Sequence, residues 1–178
     1  MLSQKSVALQ GGTWLPQPRE LAPFRLTELR GESFDNRSLL GHVSLVFFGY
    51  SSCPDVCPTT LATIQTVLRR SPIAGLQLLF VTIDPERDTP ATLHQYLRAF
   101  DGSAIGLYGD AGALAPLEKS LGALAERRDG AAGASGFDHT ATLYLLDRRG
   151  RLAAVFTPPI TATVLSADLH TLAQASIL

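Results

Sequence analysis

The sequence predicts a single α/β domain, and three observations carry that expectation. Two nearly unbroken apolar runs, residues 43–48 and 76–83, have the length and the branched or aromatic content of buried strands. Each is followed by a segment whose apolar residues recur at helical spacing. Farther on, residues 140–146 and 152–156 flank Asp147-Arg148-Arg149-Gly150, a hairpin signal. With 178 residues, 46% of them hydrophobic and 17% charged, the chain has the material for one full core and is not of disordered composition. No internal repeat and no second-domain boundary is visible.

Taken in order, residues 26–40 contain the turn signal Arg30-Gly31-Glu32 and read as a short hairpin or loop. The strand at 43–48 runs into a turn rich in serine and proline. After Pro58, Leu61, Ile64, Val67 and Leu68 mark a helix, with Arg69 and Arg70 at the end where the helix dipole favours cations. Gly75 restarts the chain and the strand at 76–83 follows. Thr89 is an N-cap with Pro90 at the first helical position, and Leu93, Tyr96, Leu97 and Phe100 share one face of that helix. A short strand at 105–108 precedes a helix marked by Leu114, Leu117, Leu121 and Leu124. Residues 127–136, rich in glycine and alanine, read as a loop. A last helix follows Pro158-Pro159, with Val164, Leu165, Leu169 and Leu172 facing inward. Strand–helix–strand first and hairpin–helix last is the thioredoxin-like plan: an α/β fold with a central mixed sheet flanked by helices.

Charge and hydropathy exclude two classes. A net charge of -1 leaves no electrostatic footprint for nucleic acid, and no Lys/Arg stripe is present. The uncharged stretch between Arg37 and Asp55 is punctuated by His42, serines and glycines, so it suits a core strand better than a membrane span. Residues 1–14 lack the apolar stretch of a signal peptide, which leaves a cytosolic protein or an exported one without its leader.

The chemistry is concentrated in Cys53-Pro54-Asp55-Val56-Cys57-Pro58, which holds the only two cysteines. They follow a buried strand directly, and in a helical turn their spacing puts both sulfurs on one face. Such a pair suits one soft metal ion, or a disulfide if the turn brings the α-carbons within about 7 Å. The alternative is two buried apolar cysteines, which the bracketing prolines and the strand-end position argue against.

Asp138-His139 stands where the glycine-rich segment meets the strand at 140–146. In a thioredoxin-like sheet that strand lies antiparallel to the cysteine-bearing one, so its start falls near Cys53 and Cys57. Two thiolates and one imidazole would then share a rim. Structural zinc wants four protein ligands, whereas copper(I) accepts three, and thiolates favour it. The competing role for His139 is an ordinary surface or hydrogen-bonded histidine. His42 reads as a loop residue, and His94 and His170 as helix-surface residues.

These residues together resemble a family. Gly49-Tyr50 before Cys53-Pro54-Asp55-Val56-Cys57-Pro58-Thr59, then Asp84-Pro85-Glu86-Arg87-Asp88-Thr89-Pro90, then Asp138-His139 and Tyr144-Leu145-Leu146-Asp147, closely resemble the Sco/SenC copper-binding proteins from about Gly11 onward. The resemblance implies copper as Cu(I) or Cu(II), held by Cys53, Cys57 and His139. It also implies a role in assembling the binuclear copper centre of cytochrome c oxidase, whose copper-receiving subunit, or another periplasmic copper or thiol protein, is the expected partner. It places the protein on the periplasmic side of the bacterial inner membrane, with residues 1–20 an extension following a removed membrane anchor and 21–178 the copper-binding domain. Ser51-Ser52 and the glycine-rich approach to Asp138 depart from the family pattern without touching a ligand.

The remaining residues are given supporting roles. Asp138 is expected to fix His139 or an adjacent amide from behind. In the acidic motif, Asp84-Pro85 should end a strand, Asp88 and Thr89 cap a helix, and Arg87 pair with a nearby acid; the alternative is a loop that orients the copper site or docks a partner. Residues 130–136 are expected to be mobile without metal and better ordered with it. Two functions compete: a copper carrier, and a thiol–disulfide oxidoreductase in which Cys53 and Cys57 are redox-active. Three intervening residues, where oxidoreductases usually have two, favour metal. A peroxidase would want proline and threonine where this chain has Val46 and Tyr50.

Overall fold

The computed structural model describes residues 7–71, 73–123 and 141–178 in full, and the backbone of 125–128 and 136–139. Its strands are β1 (Gly12–Arg19), β2 (Arg25–Glu28), β3 (Ser33–Asp35), β4 (Val43–Gly49), β5 (Leu76–Thr82), β6 (Ile105–Tyr108), β7 (Ala125–Arg128), β8 (Gly136–His139), β9 (Leu143–Leu146) and β10 (Leu152–Phe156). The helices are α1 (Val56–Arg70), α2 (Pro90–Arg98), α3 (Ala111–Leu121) and α4 (Ala162–Gln174).

An eight-stranded mixed sheet in the order β1-β10-β9-β4-β5-β6-β2-β3 forms the centre. β4, β5 and β6 are parallel neighbours, and β9 lies antiparallel on the other side of β4. Every residue of β4 is buried, as a strand covered on both faces requires. Phe47 meets Phe80 of β5 edge-to-face, with ring centroids 5.9 Å apart, a favoured aromatic geometry. α1 and α4 pack against each other, and α1 buries Leu61, Ile64 and Val67.

Most expected elements form, and the departures have local causes. Residues 26–40 contain the β2–β3 hairpin. α1 starts at Val56, so it takes in Cys57, and Pro58 sits in the first turn where its missing N–H has no role to fill. α3 stops at Leu121 because Gly122 adopts φ +71, a left-handed helix end that glycine tolerates; Leu124 lies past that end and outside the described residues. Val164 is only half-buried, while Leu165, Leu169 and Leu172 face the core.

Two corrections bear on the site. The strand expected at 140–146 is β9, Leu143–Leu146. The segment expected to be a loop at 127–136 begins and ends in strand, because Arg127 and Arg128 of β7 pair with Phe137 and Gly136 of β8 in a separate two-stranded sheet. His139 therefore ends β8 opposite Ala125 and does not open β9. Residues 129–135, on which the expected metal-dependent mobility rests, lie outside the described residues.

The N-terminal segment is also drawn into the sheet. β1, within the stretch read from sequence as an extension, pairs antiparallel with β10. Asp168 of α4 holds its approach: the buried carboxylate accepts from the backbone N–H groups of Gln10 (2.6 Å), Gly11 (2.9 Å) and Gly12 (2.9 Å). Three charge-assisted bonds compensate the burial of that carboxylate.

Candidate metal centre

β4 delivers the chain to the sheet rim at Gly49 and Tyr50, and the cysteine loop follows. The Cys53 N–H donates to the Tyr50 carbonyl at 3.2 Å, folding the chain back before α1 begins. The Cys57 N–H then donates to Cys53 Sγ at 3.4 Å. One helical turn thus brings the two sulfurs into the same neighbourhood, both as thiols outside any disulfide, with Cys53 half-buried and Cys57 buried.

Gly49 makes room for this arrangement. A Cβ there would lie 2.8 Å from the Phe80 ring and 3.1 Å from Cys57 Sγ. Any larger residue would push the sulfur or the ring aside, so the glycine is a packing requirement of the site.

The loop after β5 braces the cysteine turn from the side. Asp88 is buried and accepts from the Ser51 N–H (3.0 Å), from the Ser51 hydroxyl, and from the Thr82 hydroxyl (2.6 Å). Asp88 does not cap α2 as expected; Thr89 alone does so, accepting from the Thr92 N–H. The expected partner of Arg87 is Asp84, at 3.5 Å. Asp88 was misread because a carboxylate just before a helix has the sequence signature of a cap, while its true donors lie on β5 and in the turn after β4. Ser51, where the chain departs from the family pattern, is thereby a structural member of the loop.

Burial raises the Cys57 thiol above its ordinary value of 9.0; the Cys53 side chain and the negative charges of Cys53 and Asp88 add to the rise, and a backbone bond from Tyr50 opposes it. A group raised on folding contributes stability that is complete below the unfolded value and is lost as pH climbs toward the folded one. The metal-free, reduced protein is therefore expected to lose stability above about pH 9, with a shallower loss in Cys57→Ala. Urea midpoints that stay flat from neutral to alkaline pH would contradict this.

Beside the start of α1 lies an open cleft of about 550 Å³, lined by Val56, Thr59, Ala141, Thr142, Pro158 and Ile160. Val56, 44% exposed, is one of two large apolar side chains the described surface displays. His42, His94 and His170 are exposed, as read from sequence. The structure brings Cys53 and Cys57 together. The side chains of Asp138 and His139 lie outside the described residues, and among the described ones no cluster of three metal-ligating groups occurs.

A C-x-x-x-C pair at the end of a buried parallel strand, in a mixed sheet with four helices, defines a thioredoxin-like protein built around two adjacent thiols. The chain belongs to the SCO1/SenC family, whose model matches residues 14–174. It is 34% identical over 145 residues to a SCO2-like protein of Rickettsia prowazekii, covering 79% of this chain and 70% of that one. Bradyrhizobium japonicum ScoI, solved with copper bound, superposes with a TM-score of 0.75 at 41% identity, over 84% of this chain and 97% of that one. Yeast Sco1, also solved with copper bound, superposes with a TM-score of 0.79 at 30% identity, over 89% and 90%.

Proposed function

We propose that this chain binds copper through Cys53, Cys57 and His139 and delivers it for assembly of the binuclear copper centre of cytochrome c oxidase. The observation that carries the reading is the pair of reduced cysteines joined by the Cys57 N–H to Cys53 Sγ bond. Two thiolates on one turn are a soft donor set that suits copper(I). Copper supplies the soft, ligand-exchangeable cargo; the chain positions the donors. Asp88 fixes the turn through Ser51, burial keeps Cys57 stationary, and the more exposed Cys53 faces an arriving partner. The Sco relatives solved with copper support the same assignment. In this reading the site works on the periplasmic side of a bacterial inner membrane; among the described residues no helix is long and apolar enough to cross one.

His139 completes the donor set in this reading, with Asp138 supporting it. His139→Ala is expected to weaken copper(II) retention more than copper(I) retention, because copper(II) favours imidazole nitrogen. Isothermal titration in both oxidation states measures the difference, and equal retention by variant and wild type would remove His139 from the site.

A second reading is favoured by the unequal exposure of the two sulfurs. Cys53, as thiolate, would attack a partner's disulfide and release one partner thiol. Cys57 would then displace the other, leaving a Cys53–Cys57 disulfide and a reduced partner, two electrons transferred in all. Titrating reduced protein with copper(I), while following the disulfide of an oxidised copper-receiving domain, separates the readings. Stoichiometric copper uptake without disulfide loss supports the carrier; disulfide loss without copper supports the reductase.

A further inference from the structure

Tyr96 of α2 is packed where a phenylalanine would serve equally well. Its ring lies 5.9 Å from that of Phe80 and 5.3 Å from that of Phe100. The edge of the Phe80 ring and Cys57 Sγ flank the same glycine, Gly49, so the ring that Tyr96 packs against also borders the cysteine pair. Its hydroxyl is buried and has no hydrogen-bond partner among the described residues. Leaving such a group unpaired is costly and calls for an explanation.

Burial, and after it the negative charges of Cys57, Cys53 and Asp88, raise the Tyr96 phenol above its ordinary value of 10.0. A tyrosine hydroxyl carries its proton at neutral pH, which makes it a donor and not an anionic ligand. A neutral thiol is a weak acceptor, whereas a charged sulfur is a stronger one.

We propose that Tyr96 is a positioning residue of the metal centre, its hydroxyl donating, directly or through one water, to the Cys57 sulfur once that sulfur is a metal-bound thiolate. The proposal rests on the copper reading above. Tyr96 would then keep copper on the buried sulfur and leave Cys53 as the one a partner displaces.

Tyr96→Phe tests this, because it keeps the ring and removes only the hydroxyl. The metal-free variant should unfold at the wild-type temperature or slightly above it. Copper(I) affinity should fall about tenfold, as expected for one hydrogen bond to a charged acceptor. In the copper(II) form, the sulfur-to-copper charge-transfer absorption should move to lower energy, because a sulfur without its donor gives up charge more readily. Phe100→Leu loosens the same cluster without touching the hydroxyl and should leave that absorption in place. Unchanged affinity and absorption in Tyr96→Phe, or the same shift in Phe100→Leu, would overturn the proposal alone. Wild-type protein that takes up no copper, or Cys57→Ser that retains it, would overturn the copper reading and this proposal with it.

Discussion

Replacing either Cys53 or Cys57 with serine is expected to lower copper(I) affinity by more than about 100-fold, beyond the loss typical of removing an outer-shell partner. The two cysteines are the only thiols the chain has, and hydroxyl oxygen is a poor substitute for thiolate toward copper(I). The fold should survive both changes. Cys53 is half-buried and packs against the edge of the core, where serine is close to it in size, and Cys57 to serine likewise exchanges one small side chain for another near the Phe80 ring. Competition with a chelator of known affinity measures the loss, and circular dichroism confirms the fold. Oxidising the wild type to the Cys53–Cys57 disulfide should have the same effect by another route, because a disulfide offers no thiolate. Copper retained by a single-cysteine variant at near wild-type affinity would show that other donors dominate.

Asp88→Ala is expected to be the most damaging substitution to the site's architecture, lowering unfolding free energy by about 3 kcal/mol. It strands three donors at once: the Ser51 N–H, the Ser51 hydroxyl and the Thr82 hydroxyl. Thr82 is fully buried, so water cannot replace the lost acceptor there. Asp88→Asn keeps the shape and part of the accepting capacity, so its cost should be smaller. Because Ser51 lies two residues before Cys53, the loosened turn should also slow copper uptake in Asp88→Ala. Urea unfolding of the three proteins gives the comparison. An alanine variant within about 0.5 kcal/mol of wild type would mean that the network contributes nothing net.

The cysteine loop was legible because its signal is local. A fully apolar run, a serine and proline turn and two cysteines four positions apart are features of adjacent residues, and they place the pair at a sheet rim without reference to the rest of the chain. Thr89 and Pro90 could be read as a helix start for the same reason. Asp88, one residue earlier, could not, since what distinguishes a cap from a buried acceptor is the identity of its donors. Those donors come from residues 51 and 82, and nothing in the residues next to Asp88 announces them.

The course of the chain into the last hairpin shows the same division. Residues 143–146 and 152–156 pair as the Asp147–Gly150 turn predicts. Yet Gly136–His139 was invisible as a strand, because glycine and alanine beside it argue for a loop, and its pairing partner is Ala125–Arg128. Pairing between two short polar strands depends on what each finds opposite it.

By itself the sequence determined the order of the central strands and the helices, the apolar faces and the two-thiol loop, because periodicity, capping and spacing act between neighbours along the chain. Tertiary structure alone decided that Gly49 must be small, that Asp88 ties the cysteine turn to β5, that Asp168 grips the backbone of residues 10–12, and that the Tyr96 hydroxyl is buried without a hydrogen-bond partner among the described residues. Each is a fact about a buried polar atom or a close approach. Both are governed by what lies within a few ångströms in space, and those neighbours are up to 158 residues away in the chain.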